Sequence, residues 1–474
     1  DADGAAVEEL LDALQHALRG VADLGAGESK RGAATPPWLE DAPTKAAPAS
    51  KDAPPSHAEL LIMSKKRFGP LAGVKVIELC HVMAGPTCGL MLADLGADVI
   101  KVEKIDGGDD TRRTVPPAIA GESASYMMMN RNKRGIVVDL KTEGGKAVLH
   151  RLLADADVVT ENYRPGVMER LGFGYEALKK LNPGIIYAAI SGFGRTGPYG
   201  ARAGFDLVAQ GMSGLMSVTG ERPDGPPVKV GPPVCDIVAG ILLALGVVSA
   251  YTHKLKTGEG QMVDTSLFEA GITLTYWQSA IAFATGLAPQ ALGSAHPLNA
   301  PYQAVRTKDG YINLGAANQR VWARAMEVIG RSDLAVDPRF RENAGRMENR
   351  AELITELEQV FTTASSAEWL DLFDREGVPA GPILDINAMH NDPQVIARDM
   401  VPWLHHPVAG DMQTIGLPIK MNETPGQVAT PAPVFGQHTR EVLNEYGYDN
   451  QEIAALAAAG AIHLGDITDT EVAS

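Results

Sequence analysis

One aspartate stands where chemistry could be done. Asp236 lies in GPPVCDIVAG (231–240), at the join between a proline-containing turn and the apolar run ILLALGVVSAY. With an ordinary aspartate pKa near ~3.9, its carboxylate is expected to be ionised at neutral pH without a separate base. A helix N-terminus behind it would favour the anion further. A carboxylate can form a covalent intermediate that divides one hard step into easier ones. The plainer reading is an N-cap, for which Asp is a preferred residue, and the two readings are compatible. Cys235 is the neighbouring candidate nucleophile, but a lone Cys before an apolar helix reads as a small core residue.

A second group of charges follows the segment VKVIELCHVMAGPTCG. Glu103 closes the strand-like ADVIKVE (97–103), where a ribose-binding acid often sits, and Lys104, Arg112 and Arg113 come soon after. That mixture fits a nucleotide carrying an extra phosphate better than plain NAD. The fingerprint G-x-G-x-x-G is absent, and Pro86 removes one N–H that a phosphate cradle would use. Ordinary solvated charges at a sheet end would look the same. A metal site is suggested only by His405 and His406 in WLHHP; adjacent strand residues point to opposite faces, and no second ligand cluster accompanies them, so no metal is expected.

The elements that must position these residues alternate. VKVIEL (74–79) reads as a strand, AGPTCGLMLADLG (84–96) as a helix, ADVIKVE as a strand, KAVLHRLLADA (146–156) as a helix and DVVTENY (157–163) as a strand. YEALKKLN (175–182) is a helix closed by Pro183, and GIIYAAISGFG (184–194) a strand entering a Gly turn. This rhythm predicts an α/β chain with a parallel sheet covered on both faces. After the apolar helix, residues 256–272 read as turn, strand and helix. Residues 285–310, rich in Gly, Pro and Ala, mark a boundary. GYINLGAAN (310–318) starts a smaller unit with helices at 321–330 and 350–363, and HTREVLNEYG and NQEIAALAAAGA close the chain. The expected division is an N-terminal extension and linker over 1–69, a large domain over 70–284 completed by 395–474, and a small domain with linkers over 285–394. Within the extension, residues 5–24 have helical spacing, 26–58 read as a flexible linker, and Met63 is a plausible natural start.

Composition bounds the partners. The 474 residues carry a formal net charge of −16, which argues against nucleic acid or an anionic membrane as the main partner. Three cysteines do not make a disulfide framework, and a reducing, cytoplasmic setting is the natural inference. No secretory signal is visible, and no apolar stretch is read as reaching the ~20 residues of a membrane span; the run after Asp236 reads as a shorter core helix.

From Pro70 to about Ala461 the chain resembles the family III CoA-transferases, the family of formyl-CoA transferase and carnitine CoA-transferase. The resemblance rests on LAGVKVIELCHVMAGP, LADLGADVIKVEKIDGGDDTR, NRNKRGIVVDLKTEGG, ENYRPGVMERLGFGYEAL, NPGIIYAAISGFGRTGPY, AGFDLVAQGMSGLMSVTG, GPPVCDIVAGILLALGV, KTGEGQMVDTSLFEA, GVPAGPILDINAMHNDPQ and GQHTREVL, in this order. It implies a large Rossmann-like domain, a smaller α+β domain and two interlocked subunits forming a homodimer. It implies that Asp236 attacks a donor acyl-CoA, giving first an aspartyl–acyl anhydride and then an aspartyl-CoA thioester, before a carboxylic acid acceptor runs the two steps in reverse. Coenzyme A is then part of a substrate, and no separate cofactor is expected. His81 and Ala84 match positions lining the pantetheine and thioester end, Lys104 a basic residue near the adenosine phosphates, Leu140 and Lys141 the adenine-side loop, and Asn162 and Arg170 positions near the CoA moiety. A core histidine and a surface salt bridge are the plainer roles for His81 and Arg170.

Two departures bear on the substrate. Met83 stands where formyl-CoA transferase has a glutamine, which suggests a larger or less polar acyl group, and LGSAHPLNAPYQ (292–303) replaces a glycine-run loop. Formyl-CoA and oxalate are therefore poorly supported as the pair. The alternatives are an α-methylacyl-CoA racemase, which needs a histidine where this chain has Phe205 between Gly204 and Asp206, and a non-catalytic CoA-binding protein.

Overall fold

The computed structural model describes residues 68–465, all within one compact unit. The expected helix at 5–24, the linker at 26–58 and the proposed start at Met63 lie outside the described residues.

Six strands form the central sheet: β1 (Lys75–Leu79), β2 (Asp98–Glu103), β3 (Arg134–Val138), β4 (Val158–Glu161), β5 (Ile186–Ser191) and β6 (Met262–Ser266). They are parallel and lie in the order β3-β2-β1-β4-β5-β6, with the short strand Ile462–His463 added antiparallel beside β3. This order reverses between β1 and β4, and in open α/β sheets ligands bind outside the carboxyl ends of the strands at such a point.

Alternate residues of each strand face opposite layers, so the sheet divides two cores. Val76, Val99, Val158, Ile186 and Ala188 pack with helix α1 (Ala84–Asp94) and with a long helix, Val234–Thr257. Ile77, Ile100, Ile136, Val159 and Tyr187 pack on the other face with helices α2 (Glu143–Ala154) and α3 (Tyr175–Leu181) and with Val442, Leu443 and Ile453 from near the C-terminus. Both faces are covered, which is why these strands read as apolar runs. A third core, from Ala300 to Val378, surrounds Trp322, Phe340 and Phe361. There β7 (Tyr302–Arg306), β8 (Tyr311–Gly315) and β9 (Ala380–Pro382) form an antiparallel sheet in the order β9-β8-β7.

One strand goes unread in the sequence, and two local expectations need correction. Strand β3 lies in a stretch whose charged start, Asn130 to Arg134, hides the apolar run behind it. Strand β7 falls inside 285–310, read as a boundary, because its face toward solvent leaves Tyr302 and Arg306 exposed. The helix after Asp236 is 24 residues long, not a short run: YTHKLKT continues it until Gly258, at φ 78, ends it. Among the described residues it is the one helix long and apolar enough to cross a membrane by length and composition. Here its face of Cys235, Ala239, Leu243 and Val247 packs against the sheet and α1.

Candidate functional site

Asp236 lies in the first turn of Val234–Thr257, and the direction of that helix places it. Gly240, one turn further on, meets the start of α1; a Cβ there would stand 2.5 Å from the Ala84 carbonyl, so only glycine allows the crossing. At the other end Lys254 Nζ donates to Asp157 (2.8 Å), the residue before β4. The helix thus runs from the carboxyl edge of the sheet back to its amino edge, and Asp236 belongs to the carboxyl edge.

The turn around Asp236 is built by another acid. Asp206 opens helix α4 (Asp206–Met212); its Oδ1 accepts from the Cys235 N–H (2.9 Å) and its Oδ2 from Gln210 Nε2 (2.7 Å), while Gln210 Oε1 accepts from the Val230 N–H (2.8 Å). Asp236 itself is not the N-cap, a position held by Pro233, and among the described residues its carboxyl has no hydrogen-bond donor. It is half-buried. Burial, with the charge of Asp206 added, pushes it up to about 7, which corrects the expectation of an ordinary, fully ionised aspartate. Cys235 is fully buried, and burial followed by the two aspartates pushes its thiol up to about 12, so it is no nucleophile at neutral pH.

The loop between β1 and α1 lies at the strand-order reversal. His81 N–H donates to Asn162 Oδ1 (3.0 Å) and Asn162 Nδ2 donates to the His81 carbonyl (2.7 Å), joining the segments that leave β1 and β4. The His81 ring packs edge-on against Tyr163. Burial holds its imidazole below the ordinary value, against the pull of Asp109 and Asp110, so it is neutral at pH 7. Met83 caps α1 and Ala84 is buried at its first turn. The other expected positions lie along the same edge: exposed Lys104 after β2, paired with Asp110 at 2.5 Å; half-buried Leu140 and exposed Lys141 after β3; and exposed Arg170 in Val167–Leu171 after β4. His81 and Asn162 are brought into direct contact. Lys104, Leu140, Lys141 and Arg170 share the edge without meeting them.

Glu103 and Arg112 do not form a free nucleotide site. Glu103 is buried and takes two hydrogen bonds from Arg112, each 2.7 Å, and one from Tyr126 Oη at 3.2 Å. Arg113 is paired with Asp106. His405 faces outward against Asp411 while His406 is buried, and no group of three metal-ligating side chains occurs among the described residues. Sequence reasoning missed Asp206 and Gln210, and it missed the buried ions Glu78, Lys101, Asp109 and Lys133 beneath the β1–α1 loop. The signal was present in the strands: Glu78 and Lys101 interrupt two apolar runs and are partners in register.

Three comparisons bear on this site. The model of CoA-transferase family III matches residues 71–439. A succinate–glutarate CoA-transferase of Agrobacterium fabrum is 41% identical over 80% of this chain and 96% of its own length, and an acetyl-CoA:oxalate CoA-transferase of Acetobacter aceti is 42% identical over 71% and 86%. A crystal structure of a CAIB/BAIF family protein from Brucella suis superposes with a TM-score of 0.72 at 38% identity, covering 80% of this chain and all of that one.

Proposed function

The chain belongs to CoA-transferase family III, and from that premise we propose that it moves CoA from an acyl-CoA to a short carboxylic acid, with Asp236 as the nucleophile. The observation that carries the assignment is the order of groups along the carboxyl edge. Leu140 and Lys141 follow β3, Lys104 follows β2, His81 follows β1, and Asn162 follows β4. The roles implied by resemblance run in the same order: adenine, phosphates, then thioester. Neighbouring strands are ~4.8 Å apart, so an extended CoA laid along the edge would carry its thioester toward the side where Asp236 waits.

The chemistry then follows from a carboxyl with no donor holding it. One Asp236 oxygen attacks the thioester carbonyl, the C–S bond breaks, and CoA leaves as thiolate. The thiolate attacks Cγ of Asp236 in the mixed anhydride, the anhydride C–O bond breaks, and the donor acid departs as carboxylate. The acceptor carboxylate attacks Cγ of the resulting aspartyl-CoA thioester, the C–S bond breaks and a second anhydride forms. The released thiolate then attacks the acceptor carbonyl of that anhydride, its C–O bond breaks, and Asp236 leaves as a free carboxylate. No net proton is gained or lost. Because the Asp236 carboxyl carries each intermediate in turn, no second nucleophile is needed.

The named activities of the relatives favour a short dicarboxylate on one side of the exchange, and the acetyl-CoA:oxalate enzyme keeps oxalate among the acceptors to test. The racemase reading is disfavoured because Phe205, 74% exposed, offers no proton at the position where that chemistry needs one. A homodimer is supported by helix Tyr276–Thr285, which buries no residue and exposes Trp277 and Phe283; a dimer mass by light scattering is expected. Three free, buried cysteines support a cytoplasmic setting. Incubation with succinyl-CoA, glutaryl-CoA and acetyl-CoA, followed by intact-mass measurement and peptide mapping, tests the mechanism. A hydroxylamine-sensitive adduct on Asp236, absent in Asp236→Ala, is expected. Transfer without such an adduct, or with one elsewhere, would reject Asp236 as the nucleophile.

A further inference from the structure

The β1–α1 loop contains a conformation that its sequence does not favour. Val82 is β-branched, exposed and held at φ 67, a region that such residues rarely enter. Strain of this kind persists only where the surroundings over-determine it.

The surroundings are four buried ions. Asp109 Oδ1 accepts the Val82 N–H at 3.0 Å. Lys101 Nζ donates to the Cys80 carbonyl at 2.8 Å and is paired with Asp109 at 2.8 Å and Glu78 at 3.1 Å. Lys133 Nζ donates to the Pro86 carbonyl at 2.9 Å and is paired with Glu78 at 2.9 Å. The loop is therefore gripped at its start, its middle and its end by one connected group. Lys133 comes from the run Asn130, Arg131, Asn132, Lys133 and Arg134, to which the resemblance assigned no role. Asn130 steadies Lys133 by accepting from its Nζ at 3.0 Å.

We propose that Glu78, Lys101, Asp109 and Lys133 are positioning residues that hold residues 80–86 in a strained, preformed shape for the acyl-CoA thioester. The inference rests on the transferase reading for its purpose, though not for its geometry. A buried ion pair replaced by apolar residues often leaves a protein as stable or more so, so four buried ions are not explained by stability alone. Lys101, Asp109 and Lys133 direct their polar ends at the backbone of one loop while Glu78 joins the two lysines, and that loop carries His81 and Met83 and leads into Ala84 against Gly240.

The test uses the full chain. In Asp109→Ala the Val82 N–H loses its acceptor while Lys101 keeps Glu78 and the Cys80 carbonyl. Amide exchange across residues 80–86 should quicken, and kcat/KM for acyl-CoA should fall by about ten- to a hundredfold, the scale expected of a misplaced binding segment. Asp109→Asn keeps an acceptor and should retain most of the activity. Adding Val82→Gly to Asp109→Ala should recover activity by about severalfold, because glycine adopts positive φ freely. A merely structural loss would not be recovered by that second change. Unaltered exchange in Asp109→Ala, unaltered kcat/KM, or the absence of recovery with Val82→Gly would each overturn the proposal. Exchange is read without substrate, so a wild-type protein that transfers no CoA would count against the transferase reading and leave the loop measurement decisive.

Discussion

Asp109, beneath the β1–α1 loop, and Asp236, at the head of the long helix, are the same residue in two buried settings with opposite outcomes. Burial alone would raise both carboxyls. Asp109 nevertheless ends well below the usual range, because the Lys101 ammonium is paired with it and it accepts the N–H groups of Thr111 and Val82. Asp236 has no such partner, and its charged neighbour, Asp206, pushes in the same direction as burial. At an effective dielectric of ~20, unit charges a few Å apart interact by about 4 kcal/mol, enough to outweigh desolvation in one place and to be missed in the other. One carboxylate is fixed and spent on holding backbone. The other is left unpaired, which costs stability and leaves it free to react.

The comparison breaks most sharply if the free carboxyl is removed. Asp236→Ala should lower CoA transfer by about a thousandfold or more, as loss of a nucleophile does, in a thioester-exchange assay. Measurable transfer close to wild type would place the chemistry elsewhere. The next effect concerns pH. Attack requires the ionised form, so kcat/KM for the acyl-CoA should rise about tenfold per unit as pH approaches 7 and level off above it. A profile flat from pH 5 upward would show that Asp236 titrates as an ordinary aspartate.

A smaller shift sharpens the part played by neighbours. Asp206→Asn removes the like charge and should move the midpoint of that profile down by roughly one unit, whereas Asp109→Asn should leave the midpoint in place. Stability gives the smallest effect, with opposite signs at the two sites. The raised folded pKa of Asp236 means the native state holds a proton that the unfolded chain has lost, so stability falls as pH climbs from about 4 to 7. Asp236→Asn should therefore stabilise the protein at pH 8, by on the order of 1–3 kcal/mol, and little at pH 4. The depressed pKa of Asp109 contributes stability above the ordinary aspartate pKa that is lost in acid as the pH falls through the folded value, so Asp109→Asn should destabilise at pH 7. Thermal melts of both variants at two pH values check the pair of signs.

Much of this was legible in the chain itself, for a local reason. β-branched runs, helical spacing and Gly stops are short-range signals, and they marked β1, α1, β2, β4 and β5 to within a few residues and the start of the helix behind Asp236, though not its length. The motifs in order were enough to expect the family and to single out Asp236, His81 and Asn162. Strand β3 escaped because four of the five residues from Asn130 to Arg134 are buried polar side chains whose partners, Asp94, Glu78 and Gln427 among them, are distant in sequence.

What the sequence determined alone is the alternation of elements and the family, with Asp236 as its candidate nucleophile, because these are written in residue type, spacing and motif order. What only the tertiary structure decided is the burial and like-charged neighbour that raise the pKa of that aspartate, the mutual pairing of Glu103 and Arg112, and the grip on Val82. These depend on which charges lie within a few Å after folding, and Coulomb energy and desolvation follow distance in space rather than distance along the chain.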